Sequence, residues 1–290
     1  MRRTRVTAMV FLGGGRITKA LIAGLRLAGD KTPIVVHDRN AHKLRALQRE
    51  YGVKVEPDLR RAIAQLGWLI IAVRPDSVVA LLEKARQAAS LPVGDSAGKG
   101  RVIRPARDNQ AKRTMLACSL AAGIPLAKLR AALGPPVRWA RAMPSPVARS
   151  GHGLTAVTFE RSFPAAARKR VRDFFGKVGP VMEIPENQFD AFTATYSSSH
   201  GYYALAGLVR AAQKLGLDRK TAFAAAAHAL ADGILSWREG TDSLQELLHE
   251  AATPGGISAT VMRAMDRGGH ARIVERGLRA GVARAKNAGR

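Results

Sequence analysis

Val10-Phe11-Leu12-Gly13-Gly14-Gly15-Arg16-Ile17-Thr18-Lys19-Ala20-Leu21-Ile22-Ala23-Gly24-Leu25 is the stretch that decides the fold. An apolar run reaches a glycine turn, and apolar residues then return at helical spacing at Ile17, Ala20, Leu21, Gly24 and Leu25. That is the pattern of strand, tight turn and helix. Gly13 supplies the turn's unusual dihedrals, and Gly15 lacks the Cβ that would hold off a pyrophosphate. The unpaired N–H groups and the positive dipole end of the following helix favour an anion there. Thr18 stands where a third small residue normally lets helix and strand pack closely, so the match is imperfect.

Outward from this stretch, strands and helices alternate. Pro33–His37 is a β-branched run ending in Asp38-Arg39-Asn40. In a dinucleotide fold that strand end faces the adenosine ribose, where an acid accepts from the 2′-hydroxyl and an arginine pairs with a 2′-phosphate. Arg39 leans towards NADP, and Asp38 keeps NAD open. Ala41–Tyr51 reads as a helix, Val53–Val55 as a strand and Pro57–Leu66 as a helix closed by Gly67. Trp68–Val73 is continuously apolar, as a parallel strand covered on both faces should be. Arg74-Pro75 stops it, and Asp76-Ser77 are candidate caps for a helix from Val78 to Ala89. Strands follow at 114–120, 137–143, 154–159 and 181–184, with helices ending near Leu133 and running over 164–175. The alternation predicts a doubly wound sheet.

After Pro185 strand residues vanish and alanine dominates. Helices are expected over 189–215, 218–237, 243–251 and from Ile257 on. Stretches such as Thr221–Ala231 are too apolar for so short a segment to bury alone, and a dimer of helical domains would cover the excess. The domains read as 1–185 and 186–290, with a basic insertion rich in glycine and proline at about 90–113.

The chain has 290 residues, 47 Lys and Arg against 22 Asp and Glu, a net charge of +25 and one cysteine. A single Cys118 excludes an intrachain disulfide and a cysteine-based zinc cluster, and no metal site is expected. Its apolar neighbours predict a buried, inert thiol. The basic charge is spread along the chain without a zinc-finger spacing or an aromatic RNA platform, which makes nucleic acid an unfavoured partner and anionic ligand steering its content. No apolar run approaches the ~20 residues of a membrane span. The basic N-terminus leads into the first strand without a cleavage signal. A cytoplasmic protein is expected.

Six segments in order resemble the pyrroline-5-carboxylate reductase family: Phe11-Leu-Gly-Gly-Gly15 with Ala20, Ala72-Val-Arg-Pro75, Ser119-Leu-Ala-Ala-Gly123, Arg141-Ala-Met-Pro144, Phe189-Asp-Ala-Phe-Thr-Ala194 and Thr253-Pro-Gly-Gly256. The resemblance implies a Rossmann-like N-terminal domain followed by an all-α C-terminal dimerisation domain. It also implies an active site between the two at a homodimer or larger assembly, NADP or NAD as cofactor, and reduction of a cyclic imine to proline or a related imino acid. On it, the cofactor residues are Gly13, Gly15, Arg16, Ile17, Asp38, Arg39, Ala72, Val73, Arg74, Pro75 and Ala121. The substrate residues are Tyr196, Ser198, Thr253, Gly256, Ile257 and Ser258, with backbone N–H groups of the last loop on the substrate carboxylate. The Ser258 hydroxyl would meet the imine nitrogen.

Departures from the family cluster on the substrate side. Where the family has Gly-x-Gly-Asn-Met-Gly, this chain adds Arg16, a candidate for the pyrophosphate, while Thr18 is expected to loosen the fit. Tyr196-Ser-Ser-Ser-His-Gly-Tyr202, with Tyr203 beyond, replaces Ser-Gly-Ser-Gly-Pro-Ala-Tyr. His200 is a candidate proton donor or, equally, a hydrogen-bonded structural histidine. Tyr196, Tyr202 and Tyr203 are pocket candidates, two of the three being expected to serve helix packing. Two functions follow: an NAD(P)H-dependent imine reductase, with Ser258 and His200 as its catalytic candidates, or a relative that binds NAD(P) but acts as a regulatory or binding protein without pyrroline-5-carboxylate reductase activity.

Overall fold

The computed structural model describes residues 8–65, 67–90 and 115–288. The basic N-terminus lies outside these residues, as does all of the expected 90–113 insertion except Ser90. The continuous apolar runs form strands β1 (Met9–Leu12), β2 (Ile34–His37) and β4 (Trp68–Ile71), each buried at every position. Between them lie helix α1 (Arg16–Leu27), helix α2 (Ala41–Tyr51), the short strand β3 (Lys54–Val55) and helix α3 (Leu59–Ala64). Helix α4 (Pro75–Ser90) follows, then β5 (Met115–Ser119), α5 (Leu126–Ala132), β6 (Val137–Pro144), β7 (Thr155–Phe159), α6 (Ala165–Gly176) and β8 (Val181–Glu183).

These strands make one eight-stranded sheet in the order β3-β2-β1-β4-β5-β6-β7-β8. All neighbours are parallel except β6 and β7. Side chains alternate across β1: Phe11 joins one core cluster with Leu21, Leu25, Trp68 and Phe175, whereas Val10 and Leu12 join the other with Ile71, Leu82 and Trp139. The sheet is therefore covered on both faces, which explains why its central strands tolerate no polar alternation. Trp68 meets the edge of Phe174 with ring centroids 4.9 Å apart, fixing α6 on its face. The strand order reverses at β1 and β4, and in open α/β sheets ligands bind beyond the carboxyl ends of the strands at such a switch point.

Two expected helix starts differ. Asp58 caps α3 by accepting from Arg61 N–H, so the helix begins after it rather than at Pro57. α4 begins at Pro75, which places Asp76 and Ser77 inside its first turn instead of ahead of it as caps. Proline suits that position, because its missing N–H would be unpaired there anyway.

The remaining helices are α7 (Phe189–Thr195), α8 (Ser198–Lys214), α9 (Arg219–Glu239), α10 (Leu244–Ala251), α11 (Ile257–Arg267) and α12 (His270–Ala288). The single helix expected over 189–215 is broken, since Ser197 takes an extended backbone (φ −136°, ψ 126°) and accepts from Ser199 N–H as the cap of α8. The one expected from Ile257 on is broken at Gly268-Gly269, where Gly269 has φ +72°. Among the described residues no helix is long and apolar enough to cross a membrane.

The chain divides into two units, one of residues up to Thr193 together with those from Val282 on, the other Ala194–Gly281. The first unit keeps residues 186–193 through Arg141 on β6, whose side chain is 3% exposed and pairs with Glu186 at 3.3 Å and Asp190 at 3.5 Å. Its guanidinium also stacks on Phe189 at 4.3 Å. Glu186 in turn accepts from the Leu126 N–H that opens α5, at 2.6 Å.

Candidate functional site

The glycine turn is held from three directions. Gly13 has φ +113°, and a Cβ there would come within 2.5 Å of the Ala72 carbonyl oxygen, so no other residue fits. Its N–H donates to the His37 carbonyl at 2.7 Å, lashing β1 to β2. Gly14 N–H donates to Asp38 Oδ2 at 2.8 Å. Thr18, fully buried, donates its hydroxyl to the Gly13 carbonyl at 2.6 Å. The residue expected to loosen the turn thus ties it to α1. Gly15 is the N-cap of α1, has no side-chain partner for the helix N–H groups, and would carry a Cβ into open space. An uncapped helix start beside an open approach is an anion cradle.

The turn opens on a cavity of about 880 Å³ beyond the carboxyl ends of β1, β2 and β4, within the size range of cofactor sites. Gly13, Gly15, Asp38, Arg39, Ala72, Val73 and Arg74, all expected cofactor residues, line it. Four cations face it (Arg39, Lys43, Arg74 and Lys84) against Asp38, Asp58 and Asp76. Asp38 is occupied by the protein itself: beside the Gly14 contact, Oδ1 accepts from Asn40 N–H at 2.8 Å, and Lys43 stands 3.8 Å away. Arg39 is exposed and makes no ion pair with a described residue. Arg74 is exposed and pairs with Asp76 at 3.4 Å. These residues fit a dinucleotide, with N–H donors at the turn and free positive charge at the β2 end.

Four expected cofactor residues do not line this cavity. Arg16 is exposed on the first turn of α1, and Ile17 packs against the core cluster behind the turn. Pro75 opens α4, and Ala121 is 3% exposed inside the second core cluster. Sequence reasoning missed His37, Lys43 and Lys84. Lys84 was detectable, because Ser77, Ala80, Leu81 and Lys84 share one face of α4 at helical spacing and all four line the cavity.

The expected substrate residues lie in the second unit on two loops. In the first, Tyr196 and Ser198 are half-buried at the break before α8. His200 is exposed, and its Nε2 lies 2.7 Å from the Ala194 carbonyl. A carbonyl only accepts, so Nε2 carries the proton and the ring closes the α7–α8 corner. Tyr202 and Tyr203, the other two pocket candidates, are 68% and 77% exposed on the isolated chain. In the second loop, Gly255 has φ +77° and Gly256 N–H donates to the Thr253 carbonyl at 2.9 Å. Gly256 is the N-cap of α11 without a side-chain partner, and Ile257 and Ser258 are its first, exposed residues. Each unit thus carries a glycine-opened helix start with no side-chain cap, α1 behind Gly15 and α11 behind Gly256.

A largely parallel sheet with the Rossmann order, a glycine turn at its switch point and a separate helical unit define a dinucleotide-dependent oxidoreductase. The comparisons with known proteins agree. Residues 8–93 match the family described as NADP oxidoreductase, coenzyme F420-dependent, and residues 186–288 match pyrroline-5-carboxylate reductase dimerisation. The chain is 29% identical over 300 residues to a pyrroline-5-carboxylate reductase of Mycobacterium leprae, covering 96% of this chain and 95% of that one. It is 28% identical over 270 residues to that of Corynebacterium melassecola, covering 91% and 92%. Among solved structures, the pyrroline-5-carboxylate reductase of Coxiella burnetii shares the fold at a TM-score of 0.81 with 22% identity, over 99% and 100% of the two chains. That of Plasmodium falciparum with NADP bound gives 0.80 with 18% identity, over 98% of each. Over nearly its whole length the chain is thus similar to pyrroline-5-carboxylate reductases.

Proposed function

We propose that this protein reduces a cyclic imine, pyrroline-5-carboxylate or a close imino acid, with a nicotinamide dinucleotide, and works as a cytoplasmic homodimer. The observation that carries the reading is the pair of glycine-opened helix starts, one behind Gly15 and one behind Gly256, each an uncapped seat for an anion. The first suits a pyrophosphate, the second a substrate carboxylate. When bound, the nicotinamide supplies the hydride. The chain's own task is then positioning. N–H groups at the start of α11 hold the carboxylate, and the Ser258 hydroxyl orients the imine nitrogen. A protonated imine is already activated, so no strong side-chain acid is required, and effective molarity does most of the work. His200 Nε2–H is engaged at Ala194, which favours its structural role over that of proton donor.

NADPH is the preferred donor on this reading, because Arg39 is free to pair with a 2′-phosphate while Asp38 already serves Gly14 and Asn40. The dimer is supported by the second unit's own composition: only Ala222, Ala226 and Ala259 are buried there, whereas Phe223, Ile234, Trp237 and Ile257 are 48–85% exposed.

Turnover of pyrroline-5-carboxylate should nonetheless be poor for the family. Tyr196, Ser197, Ser199 and His200 add side chains where the family brings backbone close to a small ring, and ~1 Å of misplacement costs about a hundredfold in rate. Following NADPH oxidation against a panel of cyclic imino acids tests this directly. Ser258→Ala should lower kcat on whichever imine is accepted. Efficiency on pyrroline-5-carboxylate typical of the family would refute the obstruction, and binding of NADPH without turnover of any imine would refute the enzyme.

A further inference from the structure

His37, the last residue of β2, is 7% exposed and lines the dinucleotide cavity beside Arg39 and Lys43. Its Nδ1 lies 2.9 Å from the Glu56 carbonyl. The carbonyl only accepts, so Nδ1 holds a proton and the tautomer is fixed. Nε2 is then the ring's variable atom, an acceptor when the ring is neutral and a donor when it is charged. It has no partner among the described residues, and His37 lines the cavity.

We propose that His37 is a proton-dependent specificity residue, whose Nε2–H donates to the 2′-phosphate of NADPH when the ring is charged. This rests on the assignment of the cavity to a dinucleotide. Arg39, Lys43, Arg74 and Lys84 face the ring's surroundings, as do Asp38, Asp58 and Asp76, and Glu56 holds Nδ1 through its backbone. Lysine, arginine and carboxylate side chains ordinarily keep their charge around neutral pH, whereas imidazoles change theirs. His42, nearby on α2, is exposed and does not line the cavity. A 2′-phosphate dianion stabilises the charged ring, so binding above the histidine range draws in a proton. The sign is therefore uptake, and affinity for the phosphorylated ligand rises as pH falls towards the ordinary histidine range.

The test is titration calorimetry near pH 7.5 in two buffers of different ionisation enthalpy, with NADPH, 2′,5′-ADP and 5′-AMP as probes. The wild type should take up a fraction of a proton with NADPH and 2′,5′-ADP and none with 5′-AMP. His37→Asn, whose amide can still donate to the Glu56 carbonyl, should take up none and lose several-fold of its preference for 2′,5′-ADP. Unchanged uptake in the variant, or equal loss for both adenosine probes, overturns the proposal. Should His37→Asn not fold, the ring-proton shift of wild-type His37 against pH must move upward with 2′,5′-ADP, and an unmoved curve overturns it equally. Absence of saturable NADPH binding by the wild type would instead defeat the dinucleotide assignment itself.

Discussion

At Arg39 a free guanidinium stands one residue beyond a carboxylate that the protein has already spent on its own backbone. Charge-assisted hydrogen bonds contribute about 1.5–3 kcal/mol. Arg39→Ala should therefore weaken NADPH by roughly tenfold to a hundredfold while leaving NADH little changed, as fluorescence titration of both will read. Equal loss for the two cofactors would remove Arg39 from the 2′-phosphate. Cys118 makes a separate prediction. It is fully buried, and burial pushes its thiol well above the usual range. The folded state thus keeps a proton that the unfolded chain gives up near pH 8.5. Stability from this group is complete below that pH and falls as pH rises past it, by about 1.4 kcal/mol per unit. Cys118→Ala should remove that part of the alkaline slope in urea midpoints measured between about pH 8.5 and 10.

Two glycines, one capping helix α1 and one inside it, have opposite duties and separate binding from packing. At Gly24 a Cβ would strike the Ala148 carbonyl in the short helical turn Pro146–Ser150, and Val178 stands 2.9 Å off. Overpacking of this kind costs about 1–3 kcal/mol. Gly24→Ala should lower the denaturation midpoint by that amount. Gly15→Ala should leave stability within about 0.5 kcal/mol, since its Cβ meets nothing, and should instead impair dinucleotide binding. The reverse pattern would mean the turn is structural and the cavity holds something else. The duty of Gly15 was legible in the sequence; that of Gly24, which reads there only as an apolar-face residue, was not. Its neighbour Ala148 is brought in by the tertiary fold, which no local pattern encodes. The sheet was readable for the same reason its strands are buried on both faces: continuous apolar runs leave a strong signal. The helix breaks at Ser197 and Gly268-Gly269 were lost, because alanine-rich flanks hide a one-residue departure from helical spacing. At the cavity, motif residues emerged from the sequence, but His37 and Lys43 reach it by where β2 ends and α2 begins.

Charge and apolar surface are distributed unevenly over the whole molecule. Residues 194–281 carry ten Lys and Arg against eight Asp and Glu, so nearly all of the excess positive charge belongs to the remainder of the chain. The near-neutral unit also carries most of the exposed large apolar side chains among the described residues. Weak mutual repulsion and bare apolar surface together favour self-association there. Sedimentation velocity at micromolar concentration should give a dimer or a multiple of it, little affected by salt. A stable monomer would refute the assignment of that surface.

Gly123, at φ +71°, leaves no room for a Cβ, which would collide with the carbonyl oxygen of Ala285 on α12. The two residues are 162 positions apart, yet both belong to the unit that contains the sheet. A chain emerging from the ribosome therefore cannot finish packing the turn after β5 until the helical residues have been made, and the earlier half must wait with that seat uncovered. Closing so long a loop is slow but adds little entropy for each further residue. The glycine-turn half and the helical half are thus sequential in the gene but interleaved in folding.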